Sequence, residues 1–228
     1  DVFDLQYASD PQIHPEGEWI VYRRMGFDVL EDRSGGNLWI LRADGSSHQK
    51  LTSREVAEYS PRWSPDGTRL AFVSQTDEGA EIYLFWLDSG RYARLTQLPS
   101  SPSSLSWSPD GARLAFTMNV PSEAPVLAKM PPKPKNAQWA GAPRITDRLY
   151  HEADGRGYIP PGFPHIFVVP AGGGAARQVS SGDFSHRGPL SWSPDGARIY
   201  FTANRTEDWE YDFRNSEIYA LQLASGQV

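Results

Sequence analysis

Apolar and polar residues alternate along most of this chain in short runs, the period expected of strands with two distinct faces. Trp19-Ile20-Val21-Tyr22, Leu70-Ala71-Phe72, Leu114-Ala115-Phe116 and Ile199-Tyr200-Phe201 form one set. A second set trails it: Asn37-Leu38-Trp39-Ile40-Leu41, Glu81-Ile82-Tyr83-Leu84-Phe85, His165-Ile166-Phe167-Val168-Val169 and Glu217-Ile218-Tyr219-Ala220-Leu221. Three units continue, after a Gly-containing turn, with Lys50-Leu51-Thr52, Arg94-Leu95-Thr96 and Arg177-Gln178-Val179-Ser180. The pattern predicts many short β-strands and no long helix.

The first set is announced by a repeated turn. Trp63-Ser64-Pro65-Asp66-Gly67 recurs at Trp107-Gly111 and Trp192-Gly196, with a worn copy at Ile13-His14-Pro15-Glu16-Gly17. Pro presets φ at the second turn position, Asp tolerates the third, and Gly takes the positive φ that closes the hairpin. Each repeat therefore reads as a four-stranded antiparallel unit whose strands need apolar cover on both faces. Radial stacking supplies that cover, and the expected fold is an all-β β-propeller of about four blades. The turn glycines lie 50, 44 and 85 residues apart, and the first two spacings suit blades of roughly 40–50 residues.

The expected blades span about 11–55, 60–99, 104–182 and 189–228, the last of them incomplete. The third holds an insertion, 120–164, rich in proline. Two closures are open at this point. Either the Asp1–Asp10 segment completes a four-bladed ring, or the chain is part of a seven- or eight-bladed one.

Composition agrees and excludes several functions. The 228 residues include 20 Gly and 19 Pro, a high share of turn formers. A net charge of −6 gives no basic footprint for nucleic acid or anionic lipid. With no Cys, thiolate zinc sites and a Cys nucleophile are excluded. The longest strongly apolar run, Ile82 to Leu87, is far short of the ~20 residues of a membrane helix.

The Trp-Ser-Pro-Asp-Gly blades resemble the repeat of TolB-like proteins and of the N-terminal propellers of prolyl oligopeptidase-family serine peptidases. Three stretches resemble the acylaminoacyl-peptidase and dipeptidyl-aminopeptidase branch: Asp1-Leu5 with Ala8-Ile13, Asp147-Tyr150 with Asp154-Tyr158, and Trp209-Tyr211 with Asn215-Tyr219. The resemblance implies a propeller that gates access to a C-terminal α/β-hydrolase domain of the same protein, with a peptide as substrate. It leaves room for a homo-oligomer and for a soluble protein of the periplasm or one that is secreted. The Ser-His-Asp triad would lie in the other domain, because no Gly-x-Ser-x-Gly elbow occurs here. The alternative is a non-catalytic TolB-like interaction module. A propeller-fold enzyme such as a metal-dependent lyase is disfavoured.

No catalytic residue, metal ligand or cofactor is expected in this chain. The five histidines are scattered without metal-site spacing, and Asp66, Asp110 and Asp195 are explained by their turns. Two segments carry candidate substrate contacts. Glu207 and Glu210, in the acidic run Glu207-Asp212, have the chemistry to hold a peptide's α-ammonium. Arg23 and Arg24, in a charged loop between Tyr22 and Asn37, have the chemistry to bind a carboxylate or bridge to the hydrolase domain. The insertion adds Lys129, Lys133, Lys135, Arg144 and Arg148 against Glu123 and Asp147. Asn204-Arg205-Thr206 fits a glycosylation acceptor, and Gly172-Gly174 reads as a hairpin turn.

Overall fold

The computed structural model describes residues 2–122, 131–141, 145–155, 157–212 and 214–228. The repeated pattern becomes four antiparallel sheets. The first contains β1 (Tyr7–Ile13), β2 (Trp19–Asp28), β3 (Arg33–Arg42) and β4 (His48–Lys50). The second contains β5 (Glu58–Trp63), β6 (Arg69–Thr76), β7 (Gly79–Trp86) and β8 (Tyr92–Arg94). In the third, β9 (Ser103–Trp107) and β10 (Arg113–Val120) are followed by a small hairpin, β11 (Glu152–Ala153) with β12 (Gly157–Tyr158). That sheet is completed by β13 (Phe163–Pro170) and β14 (Arg177–Gln178). The fourth sheet has three strands, β15 (Arg187–Trp192), β16 (Arg198–Ala203) and β17 (Glu217–Gln222). Apart from the Val2–Asp4 turn of 3-10 helix there is no helix among the described residues. This is an all-β stack of propeller blades.

Three apolar seams hold the stack. Leu70 and Phe72 of the second sheet pack on Val21, Leu38 and Ile40 of the first. Ala71, Val73, Ile82 and Leu84 pack on Leu105, Trp107 and Phe116 of the third. Ala115, Ile166 and Val168 then pack on Leu190, Ile199, Phe201 and Leu221 of the fourth. The indoles fasten these seams, since Trp63 Nε1 donates to the Gln12 carbonyl, Trp107 to Arg62 and Trp192 to Ser106. Arginines reach the other way. Arg69 and Arg113 lie over Trp107 and Trp192 and donate to the carbonyls of Gly111 and Gly196. In the worn first repeat Trp19 takes the arginine's place, and His14 makes the equivalent contact to the Gly67 carbonyl at 3.0 Å.

Each inner strand carries a bulge with a left-handed residue, Asp10, Ser60, Ser104 or Gly188. The first blade begins at Tyr7, ahead of the expected 11, and β1 pairs with β2 of its own sheet. Tyr7–Asp10 is therefore engaged in the first sheet, beside β2. The insertion leaves and re-enters at a cross-strand pair, Val120 opposite Phe163.

Candidate functional site

Antiparallel blades place alternate connections on opposite faces of the stack. The Ser-Pro-Asp-Gly turns lie on one face. On the other lie the links between second and third strands: the β2–β3 tip, the Asp77-Glu78 turn, the insertion and the acidic loop after β16. All the segments suspected of function thus share one face.

The turn face is structural. Ser64, Ser108 and Ser193 each donate to the carboxylate of Asp66, Asp110 or Asp195 at 2.5 Å. These serine hydroxyls lead the causes that hold the three carboxyls below their usual value.

On the opposite face two segments meet. Asn204 closes the acidic loop by donating from Nδ2 to the Asp212 carbonyl at 2.6 Å and accepting from the Thr206 hydroxyl and amide. The Asn204 amide, whose sequence context fits a glycosylation acceptor, is committed to the loop's own hydrogen bonds. Tyr211 and Asp212 amides donate to the Asp208 carbonyl, giving the loop a helical turn. From the insertion, Arg148 donates to the Gly162 carbonyl at 3.0 Å and lies 4.2 Å over the Phe163 ring. Trp209 meets the same ring edge-on at 6.0 Å. Gly162 is obligatory at this re-entry point, because its φ is +119° and a Cβ would stand 2.1 Å from the Val120 carbonyl oxygen.

The result is a cleft of about 270 Å³ lined by Asp147, Arg148, Glu207, Asp208, Trp209, Glu210 and Tyr211. Glu207 is exposed and Glu210 half-buried. One carboxylate oxygen of Glu210, Oε1, is buried and has no hydrogen-bond partner among the described residues. A desolvated, unpaired acceptor in an acidic cleft is the arrangement that a cationic ligand relieves.

Arg23 and Arg24 are not brought together. The loop expected around them is a hairpin arm whose pairing runs from Trp19 opposite Arg42 to Asp28 opposite Arg33. Adjacent strand residues point to opposite faces. Arg23 lies 5.5 Å over Tyr59 of the second blade, whereas Arg24 lies 4.6 Å over Trp39 and donates to Gln6 at 2.6 Å. Arg24 borders a wide groove of about 1080 Å³ with Phe3, Phe27 and Gly36. Lys133 and Lys135 are exposed, while Glu123, Lys129 and Arg144 lie outside the described residues.

Two buried polar features escaped the sequence reading. Glu58 accepts from the Thr52 hydroxyl and the Leu38 amide, and burial pushes its carboxyl up; Glu81 accepts from Thr96 and the Leu98 amide. At the same repeat position as Glu81 the third blade has His165, and its ring stands 5.0 Å from that of His186. Among the described residues no group of three or more His, Asp or Glu has metal-site geometry.

The profile of the TolB beta propeller domain family matches residues 6–126, just over half of the chain. The chain belongs to that family. Among curated proteins it is 30% identical over 237 aligned residues to dipeptidyl-peptidase 5 of Porphyromonas gingivalis, covering 98% of this chain and 34% of that protein. It is 27% identical over 208 residues to YuxL of Bacillus subtilis, described as an uncharacterized peptidase, covering 91% of this chain and 31% of the relative. The chain thus spans about a third of the length of these two relatives. Its fold is also that of a region of Pyrococcus horikoshii acylaminoacyl peptidase, with a TM-score of 0.68 at 16% identity over 96% of this chain and 31% of that one.

Proposed function

We propose that this chain is the N-terminal propeller portion of a serine peptidase and that its loop face lines the cavity where peptides are admitted. The reacting serine, its histidine base and the orienting aspartate belong to an α/β-hydrolase domain of the same protein. This chain filters and holds. The uncovered face of the fourth sheet supports a larger ring: Ile218 is 78% exposed, whereas Ile82 and Ile166 at the same repeat position are 0% exposed. Further blades would cover it.

The observation that carries the site is the unpartnered Oε1 of Glu210 inside the acidic cleft. A peptide's α-ammonium supplies the missing donor, with Glu207 offering a second carboxylate and Trp209 flanking the first residue. In the full-length protein, Glu210→Gln should raise KM for free-amine peptides about tenfold or more, the scale of one charge-assisted hydrogen bond, and leave N-acylated peptides unaffected. Glu207→Gln should act in the same direction more weakly. An unchanged KM for free-amine peptides refutes the site. Failure of the full-length protein to react with a serine-directed fluorophosphonate refutes the peptidase reading and returns the chain to a TolB-like binding role.

A further inference from the structure

The seam between the third and fourth blades differs from the other two in holding a pair of buried imidazoles. His165 is on β13, and His186 ends the connection into β15; both are buried, at 6% and 1% exposure. His186 is bound to Pro164 twice. Its amide donates to the Pro164 carbonyl at 2.9 Å, and its Nδ1 lies 3.1 Å from the same oxygen. A carbonyl can only accept, so Nδ1 carries the proton and Nε2 the lone pair. Nε2 is buried and has no partner among the described residues. The ring is wedged between His165 and Phe201, at 5.0 and 4.9 Å.

The position of this wedge matters more than its burial. Pro164 is adjacent to Phe163, on which Arg148 and Trp209 are mounted. Arg205, whose charge acts on His186, is in the stem of the acidic loop and lies over Phe184 and Tyr219. Both walls of the cleft are therefore anchored at this seam. We propose that the His165–His186 pair is an acid-operated latch, in which neutral His186 fastens the third blade to the fourth and its protonation frees the acidic loop.

A proton on Nε2 finds no hydrogen-bond partner among the described residues and is opposed by the charge of Arg205, against the Pro164 and Phe184 carbonyls, which favour the protonated ring. His165, on β13, would add a second like charge. Asp183, in the β14–β15 connection, acts on His165 and is the one opposing charge among the groups acting on the pair. Burial first, and then the charges of His165 and Arg205, lower His186 from 6.5 to about 4. Because the folded value lies below the unfolded one, the latch is at full strength above pH 6.5. It weakens as pH falls towards 4, where the folded state also takes up the proton. This inference requires only the seam and the loop it anchors, and holds whatever ligand the cleft takes.

The test is amide hydrogen exchange of residues 204–216 in the intact protein at pH 7 and pH 4, corrected for the intrinsic pH dependence of exchange. Without substrate, its outcome is independent of the ammonium-binding reading. The wild type should exchange faster at pH 4, by up to about a hundredfold, the factor that two units of proton linkage deliver. His186→Gln keeps a donor for the Pro164 carbonyl and cannot titrate, so its acid response should largely vanish. The loop carboxylates are common to both proteins, so the comparison between them isolates His186. An equal acid response in the two, or none in the wild type, overturns the latch. Should the variant fail to fold, NMR of the His186 ring in the wild type decides. A neutral Nδ1–H imidazole persisting to about pH 4 supports the latch, and titration near 6.5 overturns it.

Discussion

On one face of the stack, Ser64, Ser108 and Ser193 hold the carboxylate two residues ahead in the same way each time. On the other face, the connection between second and third strands changes from blade to blade. It is a long arm in the first, Asp77-Glu78 in the second, the 121–162 insertion in the third and an acidic loop in the fourth. The difference separates what builds the stack from what the stack presents. Repetition on the turn face fixes blade geometry, and the unrepeated face is free to carry a site.

Substitutions on the two faces should therefore fail differently. The largest stability loss belongs to the repeated framework. Trp107→Ala removes an indole that fills the seam and donates to the Arg62 carbonyl at 2.9 Å, and should destabilise by about 3–5 kcal/mol in chemical denaturation. Trp107→Phe should recover most of this, leaving about 1 kcal/mol for the lost hydrogen bond.

The boundary between framework and loop comes next. Gly162→Ala combines a positive φ with a clash against the Val120 carbonyl, whereas Gly155→Ala has positive φ but nothing within 4 Å. The first should cost at least about 2 kcal/mol and disturb the cleft, and the second about 1 kcal/mol. Equal losses would show that the insertion does not press on β10 at its re-entry.

The smallest effect is expected at a single turn. Asp110→Ala should lower Tm slightly at neutral pH, since Ser108 and the Ala112 amide both donate to this carboxylate. These bonds depress the folded pKa, so the stabilisation is present above 3.8 and is lost as pH falls through the lower folded value. The gap between variant and wild type should close under those conditions.

How much of this was legible in the sequence follows the same division. The Ser-Pro-Asp-Gly turns and their flanking strands were readable because local turn chemistry and period-two alternation determine them. The charged stretch Arg23-Arg33 hid a hairpin arm, since Gly26 opposite Gly35 and Asp28 opposite Arg33 are held by the ladder and not by apolar alternation. The inner-strand bulges were missed because a left-handed Ser60 before Pro61 has no hydrophobic signature. Glu207 and Glu210 could be singled out as an acidic run, but Asp147 and Arg148, which line the same cleft, lie far away in sequence and come beside them only through the blade stack. His165 and His186 stayed scattered for the same reason. A His at the repeat position of Glu81 was the one available hint.

If the loop face carries function and the repeated face the fold, the insertion should be separable from the stack. Val120 and Phe163 are cross-strand partners, so residues 121–162 can be replaced by a two-residue turn like Asp77-Glu78, which joins β6 to β7. The measurement is kcat/KM of the full-length protein for free-amine peptides, alongside its melting temperature. The melting temperature should be almost unchanged and kcat/KM should fall about tenfold or more, in line with loss of the ammonium-binding cleft. An unchanged kcat/KM in the folded variant would contradict it.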